Sequence, residues 1–137
     1  MADSIRTAQY FKVQVADKPG EGARMLHVLR DAGINLLAFS GFPRARRAQL
    51  DFVPEQPDTF KQTAKQAKWK VEGPKTCFLM TGDDRPGALA DLMTKLAEAK
   101  INVTAIDGVC AGQGRYGAIF WVKPRDVRKT LQVLNVG

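Results

Sequence analysis

The sequence predicts an α+β chain of two tandem modules, each running βαββαβ, with the second copy truncated at its last strand. Three observations predict it: an internal repeat, a change of apolar spacing inside each copy, and turn residues at matching places. DKPGEGARMLHVLRDAGIN begins at Asp17 and DRPGALADLMTKLAEAKIN at Asp84. An offset of 67 aligns Pro19 with Pro86, Gly20 with Gly87, Leu29 with Leu96, Asn35 with Asn102 and Gly41 with Gly108 without a gap, and it reaches Pro57 with Pro124 and Thr63 with Thr130. A repeat of this length divides the 137 residues into modules of residues 8–73 and 74–137. Units of about 70 residues are marginal alone, so the copies are expected to pack on each other.

From Ala8 to Ala16 the residues alternate, Phe11, Val13 and Val15 opposing Tyr10, Lys12 and Gln14, which is the period of a half-buried strand. The Asp17–Gly20 turn ends it. Met25, Leu26, Leu29 and Ala32 then recur at three- and four-residue spacing, predicting a helix from about Glu21 that Gly33 terminates. Residues 34–42 read as a second strand, apolar on both faces and therefore central. Arg44 to Arg47 form a basic loop, Leu50, Phe52 and Val53 mark a third strand, and Pro57 opens a second helix at its first turn. Lys68 to Glu72 is a short fourth strand before a break at Gly73-Pro74.

The second copy follows the same order. Phe78, Leu79 and Met80 lie in its first strand, and Leu89, Leu92, Met93 and Leu96 on the core face of its helix. Strands over residues 101–109 and 116–122 and a helix after Pro124 come next. Only Asn135, Val136 and Gly137 remain for a fourth strand, too few to complete it. An open sheet edge invites pairing, so a homodimer is expected.

Lys and Arg total 21 against 14 Asp and Glu, a net charge of +7 spread over both halves. That balance is read as a soluble basic surface; a nucleic-acid binder using it is the alternative function, and an unlikely one, because Arg44, Arg46 and Arg47 have no interleaved aromatics for stacking. Cys77 and Cys110 form no CxxC pair and His27 is the single histidine, so no metal site is expected. Each cysteine is expected as a small buried group in a strand, Trp69 and Trp121 as core or interface residues. No catalytic triad, P-loop or dinucleotide motif is present, so neither catalytic residues nor a cofactor are assigned and the chain is not read as an enzyme. MADSIRTAQ has no apolar segment of signal-peptide length and no stretch reaches a membrane span, which predicts a cytoplasmic protein that does not engage a membrane.

The doubled pattern of Asp-x-Pro-Gly after a first strand, a Leu-rich helix and then Ile-Asn resembles the ACT domain, the regulatory module of phosphoglycerate dehydrogenases, aspartokinases and prephenate dehydratases. The resemblance covers residues 9–136 as two copies. It implies ferredoxin-like modules with antiparallel sheets and a non-enzymatic sensor that binds a free amino acid at the interface between modules and acts on a regulated partner protein. Carried over by position, the ligand-binding residues are Asp17, Lys18, Pro19, Gly20 and Asn35, and Asp84, Arg85, Pro86, Gly87 and Asn102.

Elementary chemistry agrees with that placement. A turn leading directly into a helix presents unpaired backbone N–H groups to a carboxylate, an aspartate beside it suits an ammonium, and an asparagine offers donor and acceptor. Asp17 and Asp84 equally suit ordinary turn or N-cap positions, and Asn35 and Asn102 the left-handed geometry after a helix. Leu26, Ile34, Leu89 and Met93 near the proposed groove favour branched-chain or aromatic ligands over charged ones.

Overall fold

The computed structural model describes residues 3–136. They form two compact units, the first Gln9–Lys75 and the second residues 3–8 with 76–136. Two strands are divided between units: β1, Ser4–Ala16, starts in the second and continues in the first, and β4, Glu72–Asp83, does the reverse.

The first unit adds α1 (Glu21–Asp31), β2 (Leu36–Arg44), β3 (Arg47–Pro54) and α2 (Pro57–Gln66), with strand order β2-β3-β1-β4. β1 and β3 are antiparallel, Phe11 opposite Phe52, and Leu50 and Phe52 face the helices. Met25 and Leu29 of α1 and Phe60 and Ala64 of α2 close that core. Pro57 occupies the first turn of α2, where its missing N–H costs no hydrogen bond. The basic loop is a two-residue hairpin turn: Ala45 and Arg46 both have positive φ, 49° and 71°, the primed-turn geometry that follows strand twist.

The second unit adds α3 (Ala88–Glu98), β5 (Val103–Gly112), β6 (Arg115–Val122), a 3₁₀ turn at Pro124–Asp126 and α4 (Val127–Val133), with strand order β1-β4-β6-β5. Each unit is thus a ferredoxin-like module. The fourth strand for which residues 135–137 are too few is supplied by residues 4–8, the start of β1.

Several expectations need correction. β2 is an end strand rather than a central one, with Phe39 and Phe42 exposed; its two apolar faces do not reflect burial on both sides. No separate strand spans Lys68–Glu72, and no break occurs at Gly73-Pro74, because β4 begins at Glu72 and runs through both residues. The gapless repeat also fails in the third strand: Phe78 lies 67 positions after Phe11, but its pairing partner Phe120 lies 68 after Phe52. A register shift between Cys110 and Gly112 inserts the extra residue. Cys77 is buried as expected, whereas Cys110 is exposed at the open end of β5. Met93 likewise lies exposed rather than on the core face of α3, which Leu92 and Leu96 occupy.

Candidate functional site

In both units the Asp-x-Pro-Gly turn ends in a glycine held at positive φ, 93° at Gly20 and 79° at Gly87, a conformation that only glycine adopts cheaply. Gly20 and Gly87 are the N-caps, and neither helix receives a side-chain cap. The aspartates are therefore not capping residues; in the first turn of α3 the Ala88 N–H donates to Arg85 O at 3.3 Å and the Ala90 N–H to Gly87 O at 3.0 Å, which leaves the Leu89 N–H as the unengaged donor there.

A cleft of about 350 Å³ opens beside this turn in the second unit. Asp84, Arg85, Gly87 and the start of α3 through Ala90 make one wall; Gly108, Val109 and Cys110 of β5 make the other, and Tyr116 of β6 completes it. Leu89 packs so closely on β5 that a Cβ at Gly108 would come within 2.7 Å of its Cδ1. The absent side chain at Gly108 is thus what lets the apolar wall close on the strand. Val109 and Leu89 are the largest aliphatic side chains lining the cleft.

Polar groups around the turn divide into engaged and available. Arg85 Nη1 and Nη2 donate to Asp3 Oδ1 and Oδ2 at 3.2 and 3.1 Å, a bidentate bridge, and Nη1 also donates to the Asp83 carbonyl at 2.9 Å. Arg85 holds the Asp3 carboxyl below its ordinary range, and Asp3 raises the guanidinium in turn. Arg115 Nη1 donates to Asp83 Oδ1 at 2.8 Å and lowers that carboxyl in the same way. Burial, then the nearby Asp3 carboxylate, pushes the Tyr116 phenol up; its buried hydroxyl lies near Asp3 without hydrogen-bond geometry. Room for Asp3 and Tyr116 to approach exists because position 82 is glycine: a Cβ there would meet the Tyr116 ring at 2.7 Å. The residue 67 positions earlier is Val15, a buried core side chain. Asp84 is exposed, its backbone N–H donates to Gly114 O at 2.8 Å, and its carboxylate faces the Cys110 thiol and pushes that pKa up.

Of the residues expected from sequence, the cleft brings together Asp84, Arg85 and Gly87, with Pro86 inside the same turn. Asn102 is exposed immediately before β5 and does not line the cleft. Asp17, Lys18, Pro19 and Gly20 form the exposed counterpart turn of the first unit, where Asn35 Nδ2 donates to Glu55 Oε2 at 3.2 Å. Sequence reasoning missed Asp3, Gly82, Val109, Cys110 and Tyr116. The repeat held a signal for part of this wall, since Gly41 and Gly108 coincide under it. Among the described residues no group of three or more His, Cys, Asp or Glu could hold a metal ion.

Neither a protein-family model nor a curated protein sequence matches the chain. Solved structures do. Protein BT0572 from Bacteroides thetaiotaomicron is similar with a TM-score of 0.82 at 20% identity, covering 96% of this chain and 88% of that one. The regulatory subunit of aspartate kinase from Thermus thermophilus gives 0.66 at 15% identity over 98% and 96%. Aspartokinase alpha and beta subunits give 0.65 at 18% identity over 98% and 95%. The fold is ACT-like. At these identities the likeness is one of fold; the Thermus thermophilus neighbour is named as a regulatory subunit. No helix among the described residues is long and apolar enough to cross a membrane.

Proposed function

We propose that the chain is a non-enzymatic regulatory protein of the ACT family that binds a free amino acid in the cleft beside Asp84. One observation carries the reading: a single cleft joins an exposed carboxylate, a helix start without a side-chain cap and an aliphatic wall. These answer the three parts of an amino acid. Asp84 takes the ammonium, the Leu89 N–H in the first turn of α3 takes the carboxylate, and the side chains of Leu89 and Val109 take that of the ligand. The similarity of fold to regulatory subunits of aspartate kinase supports a regulatory role.

In this reading the protein works in the cytoplasm without a cofactor. It pairs with a second copy and passes occupancy to that copy or to a regulated partner protein. Occupancy matters only through different affinity for two arrangements, so bound ligand shifts assembly or partner binding. Isothermal titration with each of the twenty common amino acids tests the reading. At least one is expected to bind, and to lose about tenfold in affinity in Asp84→Ala, the loss of one charge-assisted contact. Twenty flat traces would end it.

A further inference from the structure

The cleft is lined by one cation, Arg85, whose charge taken by itself would suit an acidic ligand. Its geometry says otherwise. Both carboxylate oxygens of Asp3 accept from it, the Asp83 carbonyl takes a further bond, and Asp91 Oδ2 lies 3.9 Å from Nη2. Its charge is already matched, and an added carboxylate would meet Asp3, Asp84 and Asp91 as well. A cationic side chain fares no better: Asp84 is the one carboxylate lining the cleft, and the ligand's own ammonium uses it. What remains for the side chain is the wall of Leu89, Val109 and Gly108, and burial there favours methyl and methylene groups.

We propose that this cleft selects an amino acid with an uncharged aliphatic side chain, and that Asp3 is the positioning residue that excludes acidic ones by holding Arg85. The inference rests on the amino-acid-binding reading above and narrows it. The first unit does not reproduce the arrangement. Under the repeat Leu89 corresponds to Gly22, Val109 to Phe42 and Cys110 to Pro43, and Lys18 stands where Arg85 does. Lys18 makes no ion pair among the described residues. The selective wall thus belongs to the second copy alone. Asp3 reaches Arg85 because residues 4–8 run beside β4 in the same unit, so the start of the chain tunes a loop more than eighty positions away.

The test is a titration of the full chain with L-leucine, L-valine, L-aspartate, L-glutamate and L-lysine, repeated on Asp3→Asn and Leu89→Gly. Leucine or valine is expected to bind the unaltered protein about tenfold or more tighter than aspartate, glutamate or lysine. Asp3→Asn frees Arg85 and is expected to narrow the leucine-to-aspartate ratio, a readout that a merely structural loss of the bridge would not move. Leu89→Gly, away from the bridge, is expected to weaken leucine about tenfold. Binding of aspartate, glutamate or lysine as tight as that of leucine overturns the selectivity while leaving amino-acid binding intact. An unchanged ratio in Asp3→Asn overturns the role of Asp3. Absence of binding by every amino acid overturns the underlying reading together with this one.

Discussion

Five aromatic side chains of the first unit form one connected group: Phe11 stacks on Phe60 at 4.8 Å, Phe52 meets Phe60 at 5.5 Å and Trp69 at 6.2 Å, and Phe39 joins Phe52 at 5.2 Å. In the second unit Phe78 stacks on Phe120 at 4.9 Å, within a core that also holds Tyr116 and aliphatic residues such as Leu92, Leu96 and Ile101. At the site the contrast runs the other way. The second unit gathers Asp3, Asp83, Arg85 and Arg115 into ion pairs around its turn, while the first spends its polar groups on β3. There Arg44 Nη1 donates to Gln49 Oε1 and Gln49 Nε2 to Asp51 Oδ1, both at 2.9 Å, with Gln49 and Asp51 buried. Duplication leaves one scaffold twice, and the copies are free to diverge wherever the scaffold does not constrain them. The side chain at Val15 fills core in one copy; its loss at Gly82 opens polar space in the other.

The largest test of this contrast is at the second helices. Phe60 is fully buried among three rings, and the residue 67 positions later is Val127, only partly buried. Phe60→Ala is expected to destabilise the first unit by about 3–5 kcal/mol, and Val127→Ala by much less, measured by urea unfolding. Equal losses would show that the two cores carry the same load.

Next in size is the asymmetry of binding. Asp84→Ala is expected to reduce amino-acid affinity about tenfold, near 1.4 kcal/mol, whereas Asp17→Ala leaves it unchanged. A larger loss from Asp17→Ala would move the site to the first copy.

The two glycine caps sharpen the comparison. Neither Gly20 nor Gly87 has any atom within 4 Å of a built Cβ, so Gly→Ala at each meets only the backbone penalty of positive φ, about 1 kcal/mol. Thermal melts should report similar costs, while titration should report weaker ligand binding for Gly87→Ala alone.

The smallest effect concerns acid. Burial holds the Asp51 carboxyl above its ordinary 3.8, so the stability it allows is full below 3.8 and is lost as pH rises through the raised value. Asp3 and Asp83 are held below 3.8 by Arg85 and Arg115, so their contributions are full above 3.8 and lost as pH falls through the lowered values. Asp51→Asn, which can still accept from Gln49, is expected to stabilise the first unit near neutral pH by about 1 kcal/mol. Asp3→Asn should remove part of the acid-side loss of the second unit. Unfolding midpoints followed from pH 3 to pH 7 check both, and a destabilising Asp51→Asn would contradict the assignment.

Most of the fold was legible in the sequence because it rests on apolar spacing: Met25 and Leu29 on α1, Leu92 and Leu96 on α3, Phe11 and Val13 on β1. The turn residues of the site were legible as well, since left-handed geometry singles out Gly20 and Gly87. What escaped rests on backbone pairing and on distant partners. In residues 4–8 only Ile5 packs against the core of its unit, so no alternation announces that they finish a sheet. The bulge at Cys110–Gly112 changes register without changing composition, which is why the apparent offset of the repeat misplaces β6 by one residue. Arg85 read as a ligand group because nothing local in the sequence pairs it with Asp3.

The central claim is that a free amino acid occupies the Asp84 cleft, and a backbone amide NMR titration with L-leucine and L-valine tests it most directly. The expected result is saturable shifts concentrated at residues 84–90 and 108–110, with residues 17–23 unmoved. Shifts centred on 17–23, or a spectrum that no amino acid changes, would contradict it.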